Sequence, residues 1–248
     1  MEQSSSINPR AVTDTKPLHP GPPQVKACGD FVLGGKSEPT HWLIDGFNLY
    51  HSLVSSEKTC GVPLRWLNPM ELATRCSHLV SPRSRVEKVS FFTSVPSHLG
   101  PEEPEKLSRH RLYVRALSAW RPPCAVKFGH FQAMQSGGRA YWAEKGVDVA
   151  LAAEVFASCL RGEVRHVVIV SGDSDLFPVA ELLRNCFPCV DLHFAFPANR
   201  VSRRLKASGS HCFTLSIEHY QASQFPKSIR LPSGRLLHCP AQWMPRPG

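Results

Sequence analysis

From about residue 40 onward, short apolar runs alternate with longer amphipathic stretches along the chain. The apolar runs are rich in Val, Ile and Phe, which is typical of strands buried in a parallel sheet. In the stretch DVALAAEVFASCLRG, helical spacing places Val147, Leu151 and Val155 on one face, and Gly162 ends the predicted helix. The predicted strands are HWLIDGF, VEKVSFFTSV, VRHVVIV, VDLHFAF and HCFTLS.

Strands that alternate with helices predict an α/β fold with a parallel or mostly parallel sheet between helical layers. Asn68 and Pro69 mark the start of one helix, NPMELATRCSHLV. A hairpin is predicted where CAVKFGHFQAM and RAYWAEK flank the turn residues 135–138. The further predicted helices are PEEPEKLSRHRLYVRALSAW, LFPVAELLRN and NRVSRRLKA.

The pattern divides the chain into three parts. Residues 1–40, with Pro, Ser and Gly but no continuous apolar run, predict a flexible N-terminal arm. Residues 41–217 form the predicted α/β domain. Residues 218–248 predict a C-terminal hairpin or tail, with a turn at Ser233 and Gly234 between two short alternating runs.

The amino-acid composition indicates a class of binding partner and a cellular compartment. The 248 residues include 29 Lys and Arg against 20 Asp and Glu, a formal charge of +9 that favours a polyanionic partner such as a nucleic acid. No apolar run reaches the length of a membrane helix, so we expect no membrane partner. Nine cysteines without a secretory signal predict free thiols in a reducing cytoplasm. Cys186 and Cys189 are interpreted as structural thiols, with half a zinc site or a redox pair as alternatives.

Acidic residues follow two of the predicted strands. Asp45 ends the first strand, and Asp173 and Asp175 follow VVIV; Asp148 lies in the first turn of a later helix. Because ligands of open α/β sheets bind beyond the carboxyl ends of the strands, we expect these carboxylates to share one crevice. Their mutual repulsion would be relieved by a divalent cation, and Mg²⁺ prefers carboxylate and water oxygens.

Each of these residues also has a purely structural interpretation. Asp148 fits the first turn of any helix because the helix dipole favours an acid there. Asp175 fits an N-cap, and Asn48 fits a turn hydrogen bond. Asp45 is harder to explain in this way, because a buried strand seldom ends on a carboxylate without a partner.

Three motifs, LIDGFNLY, EKGVDVALAAEV and SGDSDLFPVAELL, together resemble the NYN domain family in order and form, over residues 41–217. NYN domains resemble PIN-like nucleases. The resemblance implies a Rossmann-like three-layer α/β/α sandwich with an acidic, metal-binding pocket, and a ribonuclease activity. One departure is the segment SGSHCF, which lacks the further acid that the family often has after its last helix.

Carried over by position, the resemblance assigns the pocket residues. Asp45 and Asp173 would bind Mg²⁺ or Mn²⁺ directly, and Asp148 and Asp175 would bind a second ion or orient waters. Hydrolysis of an RNA phosphodiester would then need no histidine base. The supporting residues implied beside the acids are Asn48 and Ser171. Lys145, next to the pocket, fits either a contact to the scissile phosphate or a solvated lysine at the start of a helix.

The RNA, single-stranded or structured, needs a basic path, and two helices offer one. Such runs are also typical of solvated helix faces, so both interpretations stay open. Tyr141 and Trp142 are expected to be partly buried strand residues, with base stacking as the alternative. The candidate cations are Arg109, Arg111, Arg115, Arg200, Arg203, Arg204 and Lys206.

Three other functions compete with the ribonuclease hypothesis. The first is a non-catalytic RNA-binding or regulatory module with the same fold. The second is a phosphomonoesterase with an aspartyl nucleophile, which is disfavoured because Phe47 stands where such enzymes carry a second acid. The third is a nuclease that acts on DNA. The sequence leaves open the mode of cleavage, the number of ions and whether the chain forms homo-oligomers.

Overall fold

The structure, a computed structural model, describes residues 37–99, 103–137 and 139–244. The predicted flexible arm therefore lies outside the described residues as far as residue 36, and its last three residues already belong to the first strand. The strands are β1 Glu38–Asp45, β2 Ser84–Thr93, β3 Ala125–Phe128, β4 His130–Ser136, β5 Arg139–Lys145, β6 His166–Val170, β7 Asp191–Phe196, β8 His211–Thr214, β9 Ser228–Arg230 and β10 Leu236–His238. The helices are α1 Gly46–Cys60, α2 Pro69–Cys76, α3 Pro104–Ala119, α4 Val147–Leu160, α5 Phe177–Cys186, α6 Arg203–Lys206 and α7 Ile217–Ala222.

Six strands form the main sheet in the order β3-β2-β1-β6-β7-β8. Every neighbouring pair in this sheet is parallel, which confirms the predicted α/β class with a parallel sheet. In chain order these strands read 3-2-1-4-5-6, the doubly wound order of the Rossmann fold. The direction of winding reverses between β1 and β6, and a ligand crevice is expected at that point.

Helices cover both faces of the sheet, and adjacent residues of β1 point to opposite sides. Trp42 and Ile44 pack against α1, α2, α3 and α7 in one core, which also takes in the C-terminal segment. Leu43, between them, packs in a second core against α4, α5 and α6. The alternation follows from the pleat of a strand that is buried on both faces. The three-layer α/β/α sandwich is thus confirmed.

Several element boundaries differ from the prediction. The first strand ends at Asp45, and Gly46 and Phe47, predicted as strand residues, begin α1, which the sequence pattern did not predict. The run CAVKFGHFQAM divides at Gly129, so that its first half joins the main sheet as β3 and its second half forms a hairpin with β5. Helix α6 has only four residues, and α7 was not predicted.

The C-terminal segment packs on the body of the protein. The hairpin of β9 and β10 places Ile229 and Leu237 in the first core, and Trp243 follows at 8% exposure. The centre of the Trp243 ring lies 6.2 Å from that of Trp66. The guanidinium carbon of Arg65 lies 5.8 Å from the centre of the Trp243 ring. Residues beyond the predicted α/β domain therefore complete one face of it.

The cysteines depart from the prediction at one position. Cys189 is disulfide-bonded, so the expectation of free thiols is wrong there. Cys186 is a free, exposed thiol, and the two residues of CFPC therefore do not pair with each other.

Candidate active site

Asp45 is a buried carboxylate, 6% exposed, at the carboxyl end of a central strand. Its Oδ1 accepts the backbone N–H of Asn48 at 2.9 Å and so caps the N-terminus of α1. Its Oδ2 accepts the hydroxyl of Ser171 at 2.9 Å. Burial is the main cause that raises the pKa of Asp45, and the charge of Asp173 adds to it, while the two hydrogen bonds oppose the rise.

The loop after β6 is fastened to Asp45 by a chain of hydrogen bonds. The Ser171 hydroxyl, which donates to Asp45, accepts the backbone N–H of Asp173 at 3.1 Å. On the other side, the backbone N–H of Gly172 donates to Oδ1 of Asn48 at 3.0 Å. Asn48 and Ser171 therefore tie the first turn of α1 to this loop, across the point where the winding of the sheet reverses.

Asp173 caps the short 3-10 turn Ser174–Leu176, because its Oδ1 accepts the backbone N–H of Asp175 at 3.0 Å. The alternative that makes Asp175 the N-cap is therefore wrong. Asp175 is exposed, and Asp173 is partly buried. The second oxygen of Asp173 remains for a ligand.

Asp148 belongs to the same electrostatic cluster although it comes from another element. It lies exposed in the first turn of α4, as predicted. Burial raises its pKa most, and the charges of Asp45, Asp173 and Asp175 raise it further. Asp148 therefore lies within electrostatic range of the three other aspartates.

Glu144, near the end of β5, is a fifth carboxylate that the sequence analysis missed. Burial raises its pKa to about 7, with further contributions from Asp45 and Asp148. The nearby Ser94 hydroxyl opposes this rise, although its geometry falls short of a hydrogen bond, and Oε1 of Glu144 is buried without a partner. The sequence does contain one signal for Glu144: side chains alternate along a strand, which places Glu144 on the same face of β5 as Trp142.

The five carboxylates lack ion-pair partners among the residues that the structure describes. In residues 37–99, 103–137 and 139–244, no lysine, arginine or histidine forms an ion pair with any of them. No three acidic, histidine or cysteine side chains in this part of the chain converge tightly enough to hold a metal ion on their own. The site therefore holds negative charge that no described cation neutralises, and its described side chains do not form a complete ligand set by themselves.

Two of the seven predicted RNA-binding cations lie near these acids. Arg200 lines a surface hollow of about 380 Å³ together with Asn48 and Gly172. Arg109 lines a cavity that begins at Gly46, directly after Asp45. Arg111 and Arg115 are exposed on α3 with no described contact to the acids.

The remaining cations lie on α6, which contacts the turn Ser174–Leu176. Arg203, Arg204 and Lys206 are exposed there, and the Arg204 guanidinium lies 4.9 Å from the ring centre of Phe177. Lys145 ends β5 and is also exposed. In the described part of the chain, its ammonium contacts none of the acids.

The hairpin of β4 and β5 presents aromatic rings to solvent. Tyr141 and Trp142 are 47% and 51% exposed, so about half of each residue is buried, as expected of partly buried strand residues. The Trp142 ring stacks on His98 at 4.9 Å, and His98 contacts Phe131 at 4.5 Å. Exposed aromatic rings are the kind of surface on which single-strand-binding proteins stack bases.

Comparison with known proteins gives a family for this arrangement. The family model described as NYN domain matches residues 86–216, more than half of the chain. The match includes Glu144, Asp148, Asp173 and Asp175, whereas Asp45 precedes it. No curated protein matches the chain.

A crystal structure of a protein of unknown function from Vibrio parahaemolyticus RIMD 2210633 is similar in fold. It has 13% sequence identity and a TM-score of 0.49, and the alignment covers 73% of this chain and 95% of that one. Among the helices that the structure describes, none is long and apolar enough to cross a membrane.

Proposed function

The chain belongs to the NYN domain family, and from that premise we propose that it is a metal-dependent ribonuclease that hydrolyses RNA phosphodiester bonds. NYN domains are part of the PIN-like nuclease superfamily, so the coarse activity follows from the family. The observation that carries the finer proposal is the group of five carboxylates without counter-charge where the winding of the sheet reverses. The basic net charge of the chain supports a polyanionic substrate.

The donor set fits Mg²⁺ or Mn²⁺. All five side chains offer hard oxygen ligands, and the unpartnered Oε1 of Glu144 is a buried acceptor that a cation would satisfy. Asp45 and Asp173 would hold the ion. A bound ion of this kind polarises a phosphoryl oxygen and lowers the pKa of bound water.

The protein residues have separate roles in this proposal. Asp148 and Asp175, both exposed, orient the attacking water or contact a second ion. Ser171 and Asn48 are positioning residues, because their hydrogen bonds fix Asp45 and the Asp173 loop relative to each other. This arrangement brings the acids to the phosphate at little entropic cost during the reaction.

The RNA backbone is proposed to run across the hollow beside Asn48. Arg200 lines this hollow and forms no ion pair with any residue that the structure describes, so its guanidinium is available to a phosphate. Cations of α6 and Lys145 extend the positive surface on either side of the acids. Contacts of this kind provide affinity without a choice of sequence.

The substitution Asp173→Asn tests the proposal. The amide oxygen still accepts the N–H of Asp175, so the turn is preserved, but the charge that would hold the ion is lost. We expect cleavage of a labelled single-stranded RNA with Mn²⁺ to fall by roughly 10²–10³-fold. Addition of a chelator to the unsubstituted protein should abolish cleavage in the same assay.

The matched control is Asp191→Asn, because Asp191 begins β7 at the opposite end of the sheet, where it pairs with Arg165 at 2.9 Å. The Asp191→Asn variant should cleave RNA as fast as the unsubstituted protein.

A second candidate, an RNA-binding module without turnover, is favoured by the lack of three converging ligands in the described residues. RNA binding without cleavage, equal in the Asp173 variant and the unsubstituted chain, would establish that candidate instead.

The substitution Glu144→Gln tests the fifth carboxylate separately. If Glu144 contributes to the ion site, the amide should weaken Mn²⁺ binding by about 10-fold, as changes in the surroundings of a metal usually do. Titration calorimetry with Mn²⁺ measures this affinity. Glu87→Gln, at an exposed position that pairs with Arg85, is the control and should bind Mn²⁺ normally. Equal affinities in the two variants would remove Glu144 from the site.

A further inference from the structure

A cavity of about 290 Å³ opens on the other side of the first turn of α1 from the acidic loop. Gly46 and Phe47, which directly follow Asp45, line it, and so does Thr93, next to the residue that pairs with Asp45 across the sheet. Its volume is at the lower end of the roughly 300–1,000 Å³ usual for ligand pockets. A single flat ring system fits such a space.

The walls of this cavity are aromatic and fixed. Tyr113 is held by its hydroxyl, which donates to the carbonyl of Leu67 at 2.8 Å, and its ring lies 5.8 Å from Phe91 and 6.1 Å from Trp243. Phe47 and Tyr50 complete the set of rings. Every nucleobase presents a π-face to such a wall.

Two polar atoms on residues lining the cavity are buried without a hydrogen-bond partner. One is the indole Nε1 of Trp243, an obligatory donor, and the other is Nε2 of His110. Burial lowers the pKa of His110, so its ring is neutral at physiological pH. Buried polar atoms of this kind carry a free-energy cost that a ligand with matching groups removes.

The charge of the lining matches a nucleotide. Arg65, Lys106 and Arg109 line the cavity, and none of the lining residues that the structure describes is acidic. Arg65 is paired with Glu57 at 2.9 Å. Lys106 and Arg109 pair with Glu103 and Glu105 of their own segment; the Lys106 pair is exposed and weak enough to exchange for a phosphate, whereas the Arg109 side chain is 19% exposed. A base inside and a phosphate at the rim would satisfy both features.

We propose that this cavity binds one unstacked nucleobase of the RNA substrate, with the Trp243 N–H donating to an acceptor atom of the base. The inference rests on the proposed ribonuclease function and adds a base-binding subsite to it. Uracil, cytosine and guanine offer carbonyl oxygens and adenine offers ring nitrogens, so each base carries an acceptor for the indole N–H. Trp243 belongs to the segment after the family match, so the subsite is a property of this chain's own C-terminal extension.

The test uses fluorescence anisotropy with labelled oligouridylate and a labelled abasic strand, both of eight nucleotides, in the presence of a chelator so that no cleavage occurs. The full chain should bind oligouridylate more tightly. In Trp243→Phe, which keeps a ring but lacks the donor, the Kd for oligouridylate should rise about 5–10-fold and that for the abasic strand should barely change, as expected when one buried hydrogen bond is lost. Trp120→Phe, outside the cavity lining, is the control with unchanged binding.

A second variant distinguishes a loss of binding from a loss of folding. His110→Leu keeps the side-chain bulk, and it should also weaken oligouridylate binding while thermal unfolding stays cooperative. A photocross-link from 5-iodouracil oligonucleotide should map to peptides of α3 or to the segment around Trp243. Cross-links confined to the Trp142 hairpin, or equal Kd values in all variants, would overturn the proposal.

These results are independent of turnover. If Asp173→Asn cleaves RNA normally while Trp243→Phe binds oligouridylate no more tightly than the abasic strand, the metal-site proposal fails and the base cavity stands. If cleavage depends on Asp173 but both cavity variants bind as the unsubstituted chain does, the base cavity alone fails. Trp243-dependent capture of an apolar dye without any effect on oligonucleotide binding would assign the cavity to a different ligand and overturn the proposal.

Discussion

Asp45→Asn is expected to abolish cleavage and to stabilise the protein in the absence of metal. The folded state raises the pKa of Asp45, so the charged carboxylate at neutral pH reduces stability, and that contribution grows as the pH rises through the folded-state pKa. The amide removes the charge and its repulsion of Asp173. We expect a gain of about 1 kcal/mol, roughly 2–4 °C in Tm, beside a rate loss of roughly 10²–10³-fold.

Opposite changes in stability and activity distinguish a functional carboxylate from a structural one. Asp45→Ala provides the comparison, because it also removes the cap of α1 and the acceptor of the Ser171 hydroxyl. Loss of a cap typically costs about 1 kcal/mol, so the alanine variant should be less stable than the asparagine variant and equally inactive. Thermal unfolding and RNA cleavage measure the two effects. An asparagine variant that is both less stable and fully active would make Asp45 only a helix cap.

Gly172→Ala is expected to have the other large effect. A Cβ at this position would lie 1.9 Å from the carbonyl oxygen of Arg200. Because this oxygen belongs to the backbone, it cannot move aside as the end of a flexible side chain would. The loop must therefore shift, which breaks the hydrogen bond from Gly172 to Asn48 and displaces Asp173. We expect a destabilisation of about 1–3 kcal/mol, typical of overpacking. Cleavage per folded molecule should fall at least 10²-fold, because small displacements of catalytic groups are costly.

Gly61→Ala separates loop geometry from the general effect of adding a methyl group. Gly61 ends α1 at a φ of +69°, and a Cβ there would meet no atom within 4 Å. Its substitution should reduce stability by about 1 kcal/mol through backbone strain and leave cleavage unchanged. Denaturant unfolding and cleavage of the folded fraction provide the comparison. Full activity in Gly172→Ala would show that the position of this loop does not matter to the reaction.

The sheet and the acids at the strand ends could be predicted because their signals are local. The all-apolar run of β6 predicts a central strand, and the order of strands and helices fixes where the winding reverses. Asp45 is the last residue of β1 and Asp173 comes shortly after β6, so a parallel sheet places both at its carboxyl edge. That β1 and β6 are neighbours in the sheet was learned from the structure. Asn68 predicts the start of α2 through its side chain, which accepts two backbone N–H groups.

Other features depend on contacts between distant segments. Helix α1 was missed because Gly46 and Phe47 continue the apolar pattern of β1, although the spacing of Leu49 and Leu53 is helical. Glu144 lies on a hairpin outside the main sheet, and its position beside the acids depends on how that hairpin folds back. The burial of Trp243 depends on packing against Trp66, far away in the chain.

The most direct test of the central claim is a crystal structure of the protein soaked with Mn²⁺, with anomalous differences measured at a wavelength where manganese scatters strongly. The five carboxylates should surround an anomalous peak at the carboxyl end of β1, within ligand distance of Asp45 and Asp173, and the peak should be missing in Asp45→Asn crystals. A saturating soak that leaves this crevice without a peak, or places manganese elsewhere on the molecule, would contradict the account.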